Sequence, residues 1–522
     1  MHIGKESLEP LILSIYRSFH VYHAVVAFAA YFVCWVVYSI FYHPLRNVPG
    51  PFAAKFTELW RTRRYFLGGW HDDILELHRK YGPVVRLAPN EVAFVDKQAM
   101  GKLYGHTTGT KKVFQLSTVR LDFFASTDTR EHAFLRKRVS NAFTMSTILN
   151  LEPQIQALAD GVWDQFRSFA KSGTPVNMQT WTGFFAFDVV TKLGLGTEVG
   201  FVEQSKDVQG IIGSIQGFFY WHAGMGFIPG QMAWFYNPLS SFFLKYFGPK
   251  SLKGQAQFFG WLFKVVTERL GQEDAGNPKE RKRDMLDIFV SMKEPDGSQV
   301  PLPGILIEGG NLIGAGADTT SAGMSVTIGY LLKRPHDYAH VQREVDEAYL
   351  QSSLTKPGQL DYLLAEKIPF LNACVKEATR LNPSILWQLP RETPPEGVII
   401  AGHFIPGGST VSTSPLSQNR CKEVFGDDAD EWRPERWLVC EKGSTAEQVR
   451  EMDKYNLTFG HGSRTCIGRN LALVELHKFV GQFARQFDAE FVNKQTPFKP
   501  RSQWFFLQED MMVKLKERAL PT

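Results

Sequence analysis

Cysteine is scarce in this chain: Cys34, Cys374, Cys421, Cys440 and Cys466 are all there are in 522 residues. That excludes a small scaffold stapled by disulfides, and the odd, widely spaced set reads as reduced thiols in a cytosol-facing compartment. Charge of one sign is scarce too. Fifty-eight Lys and Arg face 53 Asp and Glu, a formal net charge of +5. The concentrated basic stripe of a nucleic-acid-binding protein is missing, so no nucleic-acid partner is expected. No internal repeat and no low-complexity tract interrupts the sequence. Apolar residues are not lacking: 44% are hydrophobic against 21% charged, which excludes a disordered chain.

The sharpest local absence is of Asp, Glu, Lys and Arg between Val21 and Tyr42. Twenty-two residues at helical rise span roughly 33 Å, enough for a bilayer core. Tyr22 stands at one end and Trp35, Tyr38, Phe41 and Tyr42 at the other, as in an interfacial belt. The run ends in Tyr-His-Pro-Leu-Arg rather than a small-residue cleavage site, so an anchor is favoured over a signal peptide. Arg46, Lys55, Arg61, Arg63 and Arg64 follow it, whereas Lys5 and Arg17 before it are offset by Glu6 and Glu9. This asymmetry predicts a cytoplasmic body. The division expected is a lumenal segment 1–20, an anchor 21–42, a proline-rich hinge 43–51 and one globular domain 52–522.

The globule reads as mainly α with a small β part. A helix is predicted from Trp70 to Tyr81, with Ile74, Leu75, Leu77 and His78 on one face, and short strands over Val84–Leu87 and Glu91–Val95. Helices dominate from about residue 130 to 380, interrupted by a polar loop at Gln272–Arg283. Gly397–Thr413 suggests small hairpins. Pro301–Leu332 is a long helical candidate that carries Gly304, Gly309, Gly310, Gly314, Gly316 and Gly323. Each interior glycine costs a helix up to about 1 kcal/mol relative to alanine, so close packing or a flat ligand must compensate.

One loop concentrates the chemistry: Phe459-Gly460-His461-Gly462-Ser463-Arg464-Thr465-Cys466-Ile467-Gly468-Arg469. A thiol beside arginines at a helix N-terminus favours its thiolate, which is an iron ligand. A plain buried cysteine and a zinc site with His461 are the alternatives, the latter without a second Cys/His cluster. Ala315-Gly316-Ala317-Asp318-Thr319-Thr320 sets an acid and two hydroxyls within the glycine-rich helix, suited to proton delivery or to bonding its own backbone. Glu377 and Arg380 lie three apart on a helix, which alone would be an ordinary ion pair.

These motifs resemble the cytochrome P-450 superfamily. Phe459, Gly462, Arg464, Cys466 and Gly468 match every fixed position of its haem-loop signature, and residues 315–320 match its oxygen-activation motif. Tyr42 to Pro51 is similar to the hinge of microsomal members, and the likeness runs from there to the C-terminus. The resemblance implies the cytochrome P-450 fold, a single haem domain behind a transmembrane helix, with haem b as cofactor. Cys466 would be the axial ligand of the iron, with Phe459 beside it. Arg464, His132, Arg136 and Arg391 would meet the propionates, which need cationic partners when buried. Thr319 would hydrogen-bond dioxygen and Asp318 would relay protons. Glu377, Arg380 and Arg436 (in Trp432-Arg433-Pro434-Glu435-Arg436-Trp437) would form a buried structural network. Asn419-Arg420-Cys421 departs from the family's usual His-Arg-Asp. Asn456-Leu457-Thr458 matches a glycosylation acceptor but abuts the haem loop of a cytosolic body, so it is read as a chance match.

The family's cavity segments bring Phe114, Phe123, Ala315, Leu386, Trp387 and Phe505, a mainly apolar set that favours a lipophilic small-molecule substrate. The aromatic, acid-free stretch Phe218–Tyr246 would be a lid that dips into the bilayer through Phe218, Phe219 and Trp221. Lys137, Arg138, Arg469 and Lys478 would greet an acidic electron donor. The resemblance thus implies a monooxygenase of the endoplasmic reticulum membrane, single-pass with its catalytic domain facing the cytoplasm. NADPH and flavins would act only through a separate NADPH-cytochrome P-450 reductase, with cytochrome b5 as an optional second donor. The hinge and the haem loop are most similar to those of the fungal, pisatin-demethylase-like group. That suggests hydroxylation, epoxidation or demethylation in secondary-metabolite biosynthesis, or else detoxification of a plant or environmental phenolic. A haem-thiolate isomerase or peroxygenase is disfavoured by the intact Asp318 and Thr319, and a haem-binding sensor or scaffold would show no turnover.

Overall fold

The charge-free N-terminal run is helical in the computed structural model, which describes residues 9–106, 112, 123–226, 237–248, 250–275, 284–354 and 359–520. The helix starts at Glu9, runs to Val37 and closes with a π turn, Tyr38–Tyr42. Its apolar part from Tyr22 to Tyr42 is long enough to cross a membrane and only 6% buried. This helix fits a single-pass anchor. The hinge after it is fastened to the globule. Arg86 is fully buried, donates its Nη1 to the Leu45 carbonyl at 3.2 Å and its backbone N–H to the Pro49 carbonyl at 2.7 Å. A Cβ on Gly50 would stand 2.4 Å from the Arg86 carbonyl oxygen, so only glycine lets the two strands of chain meet.

The Trp70–Tyr81 helix is present and buries Trp70 and Ile74. Strands Val84–Ala88 and Glu91–Phe94 pair antiparallel, Thr410–Ser412 adds parallel to the second, and Arg391–Glu392 completes a four-stranded sheet. This sheet carries Arg391 inward. Val398–Ile400 and His403–Ile405 form one hairpin. The predicted polar loop at 272–283 begins later, because the helix Lys250–Ala275 continues through its first residues.

The glycine-rich segment is one helix of 31 residues, Leu302–Leu332, and it is the spine of the core. It packs along Met178–Leu195 and touches Pro369–Leu381 and Arg469–Gln486. Two of its glycines are explained by close packing: a Cβ on Gly316 would come within 2.9 Å of Val190, and one on Gly323 within 2.9 Å of Leu476. Alanine at either position would make Val190 or Leu476 shift from its packed place.

Candidate active site

The turn before the Arg469–Gln486 helix holds Cys466. Its backbone N–H donates to the Phe459 carbonyl at 2.8 Å, closing the loop on itself. Gly462 has φ +69°, and a Cβ there would lie 1.7 Å from the Tyr104 carbonyl oxygen. The loop therefore needs glycine for both conformation and approach. Cys466 exposes surface to a water-sized contact, yet protein surrounds it. Both are true of a sulfur that faces an internal cavity. Burial outweighs the N–H groups of Gly468 and Arg469 and the charges of Arg136 and Arg469, so the free thiol is held above its ordinary value, not below it as the sequence alone suggests. Phe459 carries the Arg469 guanidinium 5.7 Å from its ring centre.

Four basic side chains converge near this sulfur from separate parts of the chain. His132 and Arg136 lie on the helix Thr129–Val139, Arg391 on the sheet, and Arg464 in the loop. Arg464 is depressed to about 10 by burial and by the charges of Arg391 and Arg136. Burial, then Arg464, Arg136, Lys112 and Arg391, holds His132 down at about 4, so its imidazole is neutral, not the cation expected. Arg391 sits over the Tyr104 ring at 4.6 Å and donates to the Pro390 carbonyl at 2.9 Å. Among the described residues, no carboxylate lies within ion-pair distance of Arg136, Arg391 or Arg464. Three guanidiniums gathered in a half-buried space without an acid repel one another. A dianionic ligand such as haem removes that repulsion, so the donor set fits the group.

The opposite wall is the glycine-rich helix. Ala315 is exposed although it lies midway along a buried helix, and Thr319 is one turn further on the same face. That face borders the cavity. The Thr319 hydroxyl donates to the Ala315 carbonyl at 2.6 Å, and Ser384 Oγ donates to the Thr319 carbonyl at 2.6 Å. Asp318 turns away from the cavity and is buried. Burial raises it to about 7, partly offset by Gln216, whose Nε2 donates to Oδ1 at 2.8 Å. Its Oδ2 has no hydrogen-bond partner among the described residues. Gln216 and Ser384 are site residues that sequence reasoning missed, since nothing local marks a glutamine as a partner for a carboxylate 102 positions away.

Glu377, Arg380 and Arg436 come together with no exposed surface. Arg380 Nε and Nη2 donate to the two Glu377 oxygens at 2.8 and 2.9 Å, and Arg436 Nε donates to Oε1 at 2.9 Å. Asn419, at the departure from the family pattern, is built into this network: Arg380 Nη1 donates to its carbonyl at 2.7 Å, and its Oδ1 accepts from the Leu457 N–H at 2.7 Å. Asn456 Oδ1 is engaged by Thr458 Oγ1 at 2.7 Å.

Several expected positions differ. Phe114 lies outside the described residues, and Phe123 is half-buried against the core. Leu386 is fully buried in a packed cluster with Tyr65 and Trp70, so it is core and not lining. Trp387 is also buried there, against Tyr65 and, at 6.0 Å, Trp504. Phe505 meets Phe219 edge-on at 5.2 Å. Phe219 itself stacks on Trp504, and Trp221 packs on Phe66, so these aromatics face protein rather than lipid. Among the described residues of Phe218–Tyr246, the exposed large apolar side chains are on the helix Pro238–Phe247: Leu239, Phe242, Phe243 and Tyr246. Of the supposed docking cations, Arg138 is paired with Glu294 and Glu308, and Lys478 is buried with Glu152. Lys137 and Arg469 remain exposed.

The cytochrome P-450 family profile matches residues 51–516. The chain is 31% identical over 506 residues to the cytochrome P-450 monooxygenase cicH of Emericella nidulans, covering 94% of this chain and 97% of that one. It is 27% identical over 500 residues to a pisatin demethylase of Fusarium vanettenii, covering 94% and 93%. The crystal structure of the cytochrome P-450DA heme domain superposes with a TM-score of 0.72 at 16% identity, over 90% of this chain and 98% of that one. A thiol at the edge of an internal cavity, cations gathered for an anionic ligand and a full-length sequence match agree: this chain belongs to the cytochrome P-450 family and is a haem-thiolate monooxygenase.

Proposed function

We propose that Cys466 ligates the haem iron and that Arg464, Arg136, Arg391 and the neutral His132 hold the propionates, with Phe459 beside the sulfur. The observation that carries this reading is the acid-free set of guanidiniums around the cavity that Cys466 faces. Haem bound there would supply the electron-transfer and O₂ chemistry that side chains lack. The protein's part is to hold protons and substrate. Burial raises Asp318 to about 7, so near neutral pH it holds a proton part of the time and can give or take one without a large energetic step. Thr319 is its neighbour on the cavity face, and its hydroxyl can turn from the Ala315 carbonyl toward the cavity. The Glu377–Arg380–Arg436 network holds the chain that leads into the Cys466 loop.

Phe123, Phe219, Trp504 and Phe505 leave few polar anchors, which supports a lipophilic, aromatic-compatible substrate. The fungal relatives support oxidation in secondary metabolism, by hydroxylation, epoxidation or demethylation. Electrons would come from NADPH through a flavoprotein reductase, with cytochrome b5 as an optional donor. The basic residues after the anchor support an endoplasmic reticulum protein with its domain in the cytoplasm. The division into a segment 1–20, anchor 21–42, hinge 43–51 and haem domain 52–522 belongs to the same reading.

The test is a ferric Soret titration of the purified holoprotein with terpenoid, aromatic polyketide and phenylpropanoid ligands. A saturable blue shift with one class names the substrate chemistry. Cys466→Ser must abolish the thiolate signature of the reduced carbon monoxide complex; retention of that signature would overturn the ligand assignment.

A further inference from the structure

The helix Ile211–Met225 lies across the glycine-rich helix and meets it through two residues one turn apart, Gln216 and Phe219. Phe219 lies against Gly314, where a Cβ would stand 3.6 Å from its ring, an ordinary contact. Gln216 bonds Asp318 at 2.8 Å. Gly314 and Asp318 are also one turn apart, so the two contacts run in parallel between the same two helical faces. Phe219 in turn stacks on Trp504 at 5.4 Å and meets Phe505. The aromatic cluster of Phe219, Trp504 and Phe505 and the buried acid are therefore fastened to a single turn of one helix.

Asp318 has few other constraints. Its Oδ2 is buried and has no hydrogen-bond partner among the described residues. The other charged group that bears on it is Asp207, ahead of the same helix, whose carboxylate accepts the Ile212 and Gly213 N–H groups at 3.0 Å each. Among the described residues no cation holds the acid; a neutral amide does. We propose that Gln216 is a positioning residue that couples the seating of Phe219 on Gly314 to the orientation of the Asp318 carboxyl, so that closing the aromatic wall over a substrate and aligning the proton donor are one event. A helix that lifts Phe219 off Gly314 must also withdraw the Gln216 amide from Asp318.

The inference rests on the reading of Asp318 as the acid, and its test does not use turnover. Infrared difference titration of the holoprotein follows the protonated Asp318 band, identified by its loss in Asp318→Asn. Gln216→Leu removes a bond that favours the carboxylate, so the titration midpoint must rise by about one unit. In a Phe219→Ala background the same substitution must shift it less than half as far, because the contact is already loosened. Gln216→Asn, too short to reach, must behave as Gln216→Leu and serves if that variant does not fold. An unmoved midpoint in both Gln216 variants would overturn the proposal, as would an equal shift with and without Phe219. Either result would leave the role of Asp318 itself to turnover measurements.

Discussion

Replacing Glu377 by glutamine removes one charge and adds two donors at the centre of a buried network. The two Glu377 oxygens accept from Arg380 Nε and Nη2, Arg436 Nε, Trp437 Nε1 and the Arg433 N–H, at 2.8–2.9 Å. Both guanidiniums are fully buried; their other bonds go to backbone carbonyls, those of Asn419, Ala429 and Phe425 among them, and Arg436 Nη1 also donates to the half-exposed Asp428 Oδ1 at 3.2 Å. Removing one partner of a buried ion pair costs about 3–5 kcal/mol, because the remaining charge is left uncompensated. Glu377→Gln must therefore lose about that much in urea unfolding of the holoprotein, read by haem absorbance. The pH dependence sharpens the test. Burial pushes the Glu377 carboxyl up, but the Arg380 bonds and the charges of Arg380 and Arg436 outweigh it and hold it below its ordinary value of 4.5. Its contribution is then full above that value and lost as pH falls through the lower folded one. The gap between wild type and variant must narrow in acid. A loss under about 1 kcal/mol at neutral pH, or a gap that does not narrow, would refute the argument.

Three further outcomes follow from the same geometry. Arg391→Leu removes a propionate partner, so haem dissociation must quicken, while relieved repulsion in the cation cluster leaves apoprotein unfolding little changed; a destabilised apoprotein with normal haem retention would contradict the assignment. Asp318 is raised from 3.8 to about 7, so the folded state binds the extra proton and stability falls as pH rises across that window. Asp318→Asn must then be the more stable form at pH 8, by up to roughly 4 kcal/mol in urea unfolding, and a less stable variant would refute the burial account. Backbone amides of residues 238–247 must exchange more slowly in nanodiscs than in detergent, and serine at Leu239, Phe242, Phe243 and Tyr246 must remove that protection; mass spectrometry of exchanged peptides reads both.

The sequence by itself determined what is contiguous. The anchor is a run without charge, the haem loop carries its thiol, glycines and arginine within ten residues, and the acid and hydroxyl are adjacent on one helix. Local steric and periodic rules suffice for these, because each feature is built by neighbours along the chain. Tertiary structure decided everything that depends on which faces meet. It brought Arg136, Arg391 and Arg464 from three elements into one acid-free space. It turned Phe219 and Trp221 inward and left Leu239 and Phe242 exposed. It made Leu386 core, and it paired Arg138 and Lys478 with carboxylates far away in sequence. The physical reason is common to all of these. A side chain's partner across the core is set by helix packing, which fixes direction and distance together, and composition records neither.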